Sequence, residues 1–340
     1  MNYSQESPAL LKIRDWVKST CDPDLISHTR IHPIPLSQKI NTQTWLKRED
    51  ETAFGMPGSK RRKYASLIPF LLKQGFHSVV LIGGAYSHHL VAIAQLLNEH
   101  HIHADYLLRG EPELAIEGNQ FLLRLLVPSD HLHWVPRNEW EEVDTRAATL
   151  AEKKREQGQK VFIIPEGAYT PWALPGLMSL QLDILENEKN HNIFFSHIIC
   201  DAGTGLTAMS LLLSDAAIGI HRTYHIVLMA GEEKSFMDNF QLLIRQFEIS
   251  SSIPINILPN YYLYSLPKNM GFGKMPTEIK SAILKYAREW GVITDPIYSA
   301  KLLWKGEKII QENNLSGDIL LIHSGGNSIY GVMDLLKPLL

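Results

Sequence analysis

The sequence predicts an α/β protein built on mainly parallel sheets, and three observations support this fold class. Short apolar runs of strand length alternate with amphipathic helical patterns along the chain. Several of these runs are continuously apolar, as strands buried on both faces of a parallel sheet are. Some of them end in a glycine-rich turn that leads into a helical pattern, which is the organisation of a βα unit.

The composition is that of an ordinary globular protein and excludes several classes of function. The chain has 340 residues, 45% hydrophobic and 20% charged, with a formal net charge of −3. That length allows one large or two medium domains, and the charge argues against a nucleic-acid surface. Cys21 and Cys200 have no metal-type spacing. No signal peptide and no membrane span is expected, and a reducing cytoplasm fits.

The first half of the chain contains helical patterns separated by strand-like runs, and the segment 31–36, with Pro33 and Pro35, is expected to be extended. The run 78–82 is continuously apolar after Ser78, and Leu90, Ile93, Ala94 and Leu97 then lie on one helical face. The predicted elements are helix 8–19, strand 44–48, a helix from Lys60, strand 78–82, helix 90–99, strand 104–108, helix 118–127, strand 131–135, helix 139–157 and strand 160–164.

The second half continues the alternation and ends in a strand followed by Ser324-Gly325-Gly326. Gly291 is a good C-cap, while Asp295 and Pro296 are expected to cap and begin the next helix. The segment 260–275 is rich in Tyr, Pro and Gly and is expected to be irregular. The predicted elements are helix 173–187, strand 197–201, strand 224–230, helix 276–290, a helix after Asp295, strand 318–323 and a final helix.

A basic run at a predicted helix start breaks a local rule. Gly58 frees the backbone, Ser59 is a good N-cap, and Lys60-Arg61-Arg62-Lys63 then crowd the positive end of the helix dipole. A bound anion would relieve this conflict. Positive neighbours should lower the pKa of Lys60 and make its amine a usable nucleophile. The alternative is a solvated basic face on a surface helix.

Two glycine turns at strand ends could bind a ligand. Gly83-Gly84-Ala85-Tyr86-Ser87-His88-His89 follows one buried strand, and its histidines could equally be capping or surface residues. The turn Gly203-Thr204-Gly205-Leu206-Thr207 follows another strand, and its N–H groups can hold a phosphate. This turn matches neither a dinucleotide fingerprint nor a Walker loop, and a purely structural turn is an open alternative. Tyr298 and Ser299 lie at a further helix mouth.

Five segments in order resemble the 1-aminocyclopropane-1-carboxylate deaminase/D-cysteine desulfhydrase family, which has the tryptophan-synthase-β-like fold of pyridoxal-phosphate enzymes. The resemblance extends from about residue 33 to the end, and a set of five motifs is more specific than any one of them. The segments are Lys47-Arg48-Glu49-Asp50, Gly58-Ser59-Lys60-Arg61-Arg62-Lys63, the turn 83–89, Asp295-Pro296-Ile297-Tyr298 and His323-Ser324-Gly325-Gly326.

The resemblance implies a pyridoxal 5′-phosphate cofactor and a small amino-acid substrate. It also implies two open, mainly parallel twisted sheets, a large domain of residues 1–62 plus 166–340, a small domain of residues 63–165, and a homodimer. Lys60 would hold the cofactor as a Schiff base and move protons, while Ser87 and Tyr298 would face the substrate. The other implied cofactor contacts are Lys63, His88, Gly203, Thr204, Gly205, Leu206, Thr207 and Ser299.

Departures from the family pattern bear on the substrate. Members that open the cyclopropane ring carry Glu where this chain has Ser299 and Leu where it has Ser324, whereas the desulfhydrases carry Ser and Thr. A carboxylate beside the pyridine nitrogen makes the ring a stronger electron sink than a serine does. The resemblance therefore implies β-elimination on D-cysteine, giving pyruvate, ammonia and sulfide. His88 replaces the family's Asn beside the cofactor, and Phe272 replaces its second active-site Tyr.

Three alternatives stay open from the sequence. The first is deamination of 1-aminocyclopropane-1-carboxylate, which would need a stronger electron sink than Ser299 supplies. The second, of another class, is a pyridoxal-phosphate-binding protein without lyase activity, which His88 and Phe272 would explain. The third is a nicotinamide-dinucleotide enzyme, ranked last because the G-x-G-x-x-G fingerprint with a downstream acid is missing.

Overall fold

The structure is a computed structural model that describes residues 7–36, 41–52, 58–113, 116–271 and 273–326. Ten strands and ten α-helices lie within these ranges. The strands are β1 (Ile31–Pro33), β2 (Thr42–Arg48), β3 (Ser78–Gly84), β4 (His103–Arg109), β5 (Leu132–Val135), β6 (Val161–Ile164), β7 (Phe195–Ala202), β8 (Thr223–Leu228), β9 (Asn260–Ser265) and β10 (Gly317–His323). The helices are α1 (Pro8–Thr20), α2 (Ser59–Lys73), α3 (His88–Glu99), α4 (Gly118–Leu126), α5 (Val143–Glu156), α6 (Leu174–His191), α7 (Leu206–Ile218), α8 (Glu233–Ser251), α9 (Thr277–Trp290) and α10 (Ser299–Glu312).

Six strands form the larger sheet, in the order β1-β2-β10-β7-β8-β9. All neighbours are parallel except β1 and β2. Helices α1, α6, α7 and α8 contribute to one apolar core against this sheet, and α9 and α10 contribute to the core on its other side. The sheet is thus covered on both faces, which explains why its central strands read as continuous apolar runs.

Four parallel strands form the smaller sheet, in the order β5-β4-β3-β6. Helices α2, α3 and α4 share an apolar core with it, and α5 packs on its other side. Helix α2 also packs on α6 of the larger sheet, where a Cβ at Gly176 would lie 1.9 Å from the carbonyl oxygen of Arg62. Only glycine therefore fits at 176. The division into domains at residues 62–63 and 165–166 stays a prediction.

The α/β class with two mainly parallel sheets is confirmed, and most predicted elements lie within a few residues of the observed ones. The prediction for 260–275 was wrong at its start, because Asn260–Ser265 forms β9 at the edge of the larger sheet. Helix α8 was not predicted. Helix α10 begins at Ser299, later than predicted, although the Asp295 carboxylate does accept the N–H groups of Ile297, Tyr298 and Ser299.

Two predictions fall outside the described residues: the position of Phe272 and the final helix after residue 326. Within the described ranges, no helix combines the length and the apolar character that crossing a membrane requires.

Candidate active site

The start of α2 is built around Gly58 rather than Ser59. Gly58 is the N-cap, has φ +81°, and makes no side-chain capping bond, so the predicted N-cap at Ser59 was wrong. A Cβ at Gly58 would lie 1.7 Å from the carbonyl oxygen of Ser324, and both the close approach and the left-handed φ require glycine. Ser59 becomes the first helical residue. The first turn of α2 therefore keeps backbone N–H groups without a side-chain cap.

A second helix start without a side-chain cap lies beside the first. Helix α7 begins at Leu206 after the turn Gly203-Thr204-Gly205, and its N-cap Gly205 has φ +85° and no side-chain capping bond. The Thr207 hydroxyl lies 3.4 Å from the Ser59 hydroxyl and so joins this helix start to that of α2. Two helix N-termini that lie this close together both favour negative charge, so an anion could bind between them.

Lys63 and Gly167 border the same turn. The Lys63 amine donates to the carbonyl oxygen of Gly167 over 2.9 Å. Gly167 has φ +68°, and a Cβ there would lie 2.6 Å from the Thr204 side chain. Burial, followed by the charge of Lys60, lowers the pKa of Lys63 to about 7. A phosphate held by the neighbouring helix starts would return Lys63 to its charged form.

The pKa of Lys60 is lowered, as predicted, but the cause differs from the predicted one. Burial is the main cause, and the carboxylates of Asp201 and Asp295 partly oppose it. The Lys60 amine lies 5.8 Å from the centre of the Tyr298 ring. Poor solvation therefore favours the neutral, nucleophilic form of the amine, and it outweighs the effect of the two carboxylates, which favour the charged form.

Two of the four cations in the basic run have structural partners. Arg61 donates to the backbone carbonyl oxygens of Asp24 and Leu25. Arg62 is fully buried and pairs with Glu49 and Asp183, at 2.7 Å to each. Within the basic run, only Lys60 and Lys63 remain to bind an anion. Two of its four cations are therefore structural, and the other two are candidate site residues.

The space next to Lys60 is bordered by Tyr298, Gly203 and His88. A Cβ at Gly203 would lie 3.5 Å from the Tyr298 ring, and the rings of His88 and Tyr298 are 6.1 Å apart. Burial, and then the charge of Lys60, lowers the pKa of His88 to about 4. The His88 imidazole is thus neutral at pH 7, and its buried Nε2 has no hydrogen-bond partner. This nitrogen is therefore available to bond a ligand.

Ser299 is fully buried and bonded to the turn that precedes α10. Its hydroxyl donates to Oδ2 of Asp295 over 2.7 Å and accepts from the Asp295 N–H over 2.8 Å. Burial opposes ionisation of Asp295, but His88 and the bonds from Ser299 outweigh it and lower the pKa of that carboxyl group. Ser299 therefore donates its single proton to Asp295, which leaves only a lone pair for any further partner.

Ser87 has a capping role. It is the N-cap of α3, and its hydroxyl accepts from the N–H of His89 over 3.2 Å. No contact described here joins Ser87 to Lys60, so its predicted position facing the catalytic lysine stays a prediction. Asp201 is not among the residues predicted for the site, although its charge acts on the Lys60 amine. An acid directly before the glycine turn that ends a buried strand was the available signal.

His28, Asp183 and Glu186 have ligand atoms within 4.8 Å of one another, which is metal-type geometry. Asp183, however, already accepts bonds from Lys47 at 2.6 Å and from Arg62 at 2.7 Å. These two cations oppose a third positive charge at the same carboxylate.

A first testable consequence concerns His89, which is buried behind the site with its Nδ1 bonded to the Tyr64 hydroxyl. Burial, followed by the charges of Lys63 and Lys60, lowers the His89 pKa to about 3, against 6.5 ordinarily. The unfolded chain therefore binds more protons below pH 6.5, and stability falls as the pH falls. We expect roughly 2 kcal/mol of loss between pH 7 and 5 from this residue. In His89→Gln, the unfolding free energy measured with denaturant should fall less between pH 7 and 5, by that amount. The same pH dependence as in the wild-type protein would contradict the assignment.

The comparisons with known proteins were made on the whole chain. No protein-family model matches it. A putative 1-aminocyclopropane-1-carboxylate deaminase of Pyrococcus horikoshii is 28% identical over 88% of this chain and 90% of its own. A mitochondrial bifunctional D-cysteine desulfhydrase/1-aminocyclopropane-1-carboxylate deaminase of Arabidopsis thaliana is 26% identical over 88% of this chain and 76% of its own.

The fold gives the same result. A crystal structure titled as an ACC deaminase homologue superposes with a TM-score of 0.81 at 25% identity and covers 97% of this chain and 99% of its own. The predicted resemblance is therefore confirmed. Similarity in sequence and in fold extends over most of the chain, which resembles 1-aminocyclopropane-1-carboxylate deaminases and D-cysteine desulfhydrases along that length.

Proposed function

We propose that the protein is a pyridoxal-5′-phosphate-dependent lyase that eliminates the β-substituent of a small amino acid, D-cysteine being the main candidate. The observation that carries the proposal is the Lys60 amine, which has a lowered pKa and lies in the first turn of α2, whose start contacts the start of α7. The similarity to 1-aminocyclopropane-1-carboxylate deaminases and D-cysteine desulfhydrases supports the same function. With water, D-cysteine would give pyruvate, ammonia and sulfide.

The residues present fit this cofactor. The helix starts at Ser59 and Leu206, together with Gly203, Thr204, Gly205 and Thr207, would take the phosphate, with Lys63 beside them. Lys60 supplies the amine for the aldehyde. His88 has a buried Nε2 without a partner and can donate or accept a bond at the ring. When bound, pyridoxal phosphate supplies an electron sink for the carbon atom that loses a proton.

The chain's own groups would then handle the protons. Lys60 Nζ accepts the proton from the substrate's α-carbon, because burial keeps the amine neutral. The centre of the Tyr298 ring lies 5.8 Å from that amine, so its hydroxyl is a candidate proton donor to the leaving group. Its own pKa is raised, mainly by burial, so its hydroxyl stays protonated at pH 7. The Asp295 carboxylate fixes the backbone at Tyr298, because it accepts hydrogen bonds from the Tyr298 N–H and from the Ser299 hydroxyl.

One contact favours a second candidate, deamination of 1-aminocyclopropane-1-carboxylate. Ser299 already donates its only proton to Asp295, so it can only accept from a partner at the cofactor. An acceptor at the ring nitrogen favours the protonated ring, which is the stronger electron sink that ring opening needs. Ser299 is therefore weaker evidence against this reaction than the sequence alone suggested.

The test is product analysis of the purified full-length protein supplied with pyridoxal phosphate. We expect D-cysteine to release sulfide and pyruvate in equal amounts, with L-cysteine as the matched control. Release of 2-oxobutyrate from 1-aminocyclopropane-1-carboxylate at a higher rate would favour the second candidate. Cofactor absorbance without turnover on a panel of D- and L-amino acids would refute both and leave a non-catalytic binding protein.

The resemblance also motivates the rest of the proposal, a homodimer in the cytoplasm with residues 63–165 as a small domain. Sedimentation of the purified protein should give about twice the mass of the 38.6 kDa chain. A monomer at micromolar concentration would remove this part of the proposal.

A further inference from the structure

Two histidines from neighbouring strands of the larger sheet lie side by side. His197 is the third residue of β7 and His225 is the third residue of β8, and these two strands pair in parallel. The Nδ1 atom of His197 lies 3.2 Å from the Nε2 atom of His225. Both rings lie near the amino ends of their strands, whereas the glycine turn begins after Ala202, about 16 Å further along β7. The pair is therefore separate from the proposed active site.

The distance between the two facing nitrogen atoms fits a shared metal ion. Zinc binds imidazole nitrogen at about 2.0–2.1 Å, and the tetrahedral angle then places two ligand nitrogens about 3.3 Å apart. The observed distance of 3.2 Å is close to this value. Imidazole is a ligand that suits zinc, copper and nickel ions. An ion could therefore replace the direct contact between the rings with little movement of either strand.

Tyr264 supplies the outer contact that metal-binding histidines usually have. Its hydroxyl lies 3.0 Å from Nδ1 of His225. When Nδ1 donates its hydrogen to that hydroxyl, the lone pair of Nε2 is left for a metal. Tyr262 stacks on the same imidazole ring, with 5.7 Å between the ring centres and 21° between the ring planes. The His225 ring is therefore held in place by two side chains of β9.

Charge and access at this pair are compatible with a bound cation. Burial is the main cause that lowers the pKa of both imidazole rings, that of His225 to about 4, so both rings are neutral at pH 7. The charged groups beside Tyr264 are Lys305, whose amine lies 5.6 Å from the ring centre, and Glu312, which pairs with Lys305 at 3.8 Å. His197 is half-buried, so an ion can reach the pair from solvent.

We propose that the facing nitrogen atoms of His197 and His225 bind one divalent transition-metal ion of the zinc class, with water at the remaining positions of the ion. The ion connects β7 to β8 at the end of the sheet away from Lys60, so its role is structural. Because it binds the folded chain, it stabilises the fold. Both rings bind as neutral ligands, so no proton is released. This inference does not depend on the proposed function.

The test is titration of the full-length protein with Zn²⁺ at pH 7, after removal of metals with a chelator and dialysis. We expect calorimetry to show one equivalent of Zn²⁺ per chain and thermal unfolding to move to higher temperature with the ion. His197→Gln should lose both effects. Tyr264→Phe removes only the outer hydroxyl and should weaken binding about 10-fold or more.

His28→Gln is the matched control, because His28, Asp183 and Glu186 are a second group with metal-type spacing, and it should bind Zn²⁺ as the wild-type protein does. A wild-type protein that takes up no Zn²⁺ overturns the inference, as does equal binding by His197→Gln. If His197→Gln does not fold by circular dichroism, the wild-type protein loaded with Cu²⁺ is examined by electron paramagnetic resonance. Coupling of the ion to two imidazole nitrogens then supports the inference, and coupling to fewer overturns it.

Discussion

Lys60→Ala is expected to remove the absorbance of protein-bound pyridoxal phosphate and to lower kcat by at least about 10³-fold on any substrate that the wild-type protein accepts. In the proposed function the Lys60 amine both binds the aldehyde and moves the proton, so alanine would remove two functions at once. No second amine replaces it, because Lys63 is bonded to the Gly167 carbonyl oxygen. Absorbance after dialysis against pyridoxal phosphate, and initial rates, measure the two effects.

Lys73→Ala is the matched control for this prediction. Lys73 is an exposed cation in the last turn of the same helix, so its loss changes the charge of α2 without touching the site. The control should keep wild-type absorbance and rate. Retention of more than about a tenth of the rate by Lys60→Ala would contradict the assignment of the base.

Arg62→Ala is expected to cost about 3–5 kcal/mol of unfolding free energy, because it leaves Glu49 as a buried carboxylate without its cation and removes one of the two cations at Asp183. Arg62 bonds Glu49 through Nε at 2.7 Å and through a second nitrogen at 2.8 Å, and it bonds Asp183 at 2.7 Å and Ser179 at 3.0 Å. Of the two carboxylates, Lys47 bonds only that of Asp183, at 2.6 Å. Denaturant unfolding followed by circular dichroism gives the loss.

Arg61→Ala provides the comparison, because Arg61 bonds only backbone carbonyl oxygens, which water can replace. The cost of this variant should stay below about 1 kcal/mol. A double variant, Arg62→Met with Glu49→Gln, should recover part of the loss by removing the orphaned charge of Glu49. Equal costs for Arg61→Ala and Arg62→Ala would refute the stabilising role of the ion pairs that Arg62 makes with Glu49 and Asp183.

The parallel strands were predictable because burial on both faces writes a continuous apolar run, as in β3 and β10. The edge strand β9 was not, since its alternating Tyr residues are half-exposed and its Pro- and Gly-rich surroundings resemble a loop. Lys60 could be singled out from the sequence because cations at a helix start conflict with the helix dipole. The ion pairs of Arg62 could not be predicted, because its partner Asp183 lies 121 residues away in the chain.

The same distinction applies within the site. The glycine turn before α7 and the lysine helix can each be identified locally, but their contact through Thr207 and Ser59 joins segments 148 residues apart. The lowered pKa of Lys60 was predicted with the wrong cause, since burial is a property of the folded chain and crowding of cations is a property of the sequence. The electrostatic environment of Asp201 could not be predicted either, because Ser324 and Lys60, which act on its carboxyl group, are distant in the sequence.

The most direct test of the central claim is to fix the cofactor where it is held. Full-length protein saturated with pyridoxal phosphate is reduced with borohydride, digested, and searched by mass spectrometry for the lysine that carries the pyridoxyl group. The account predicts that group on Lys60, in about one copy per chain. Stable labelling of another lysine, or of none, would contradict it.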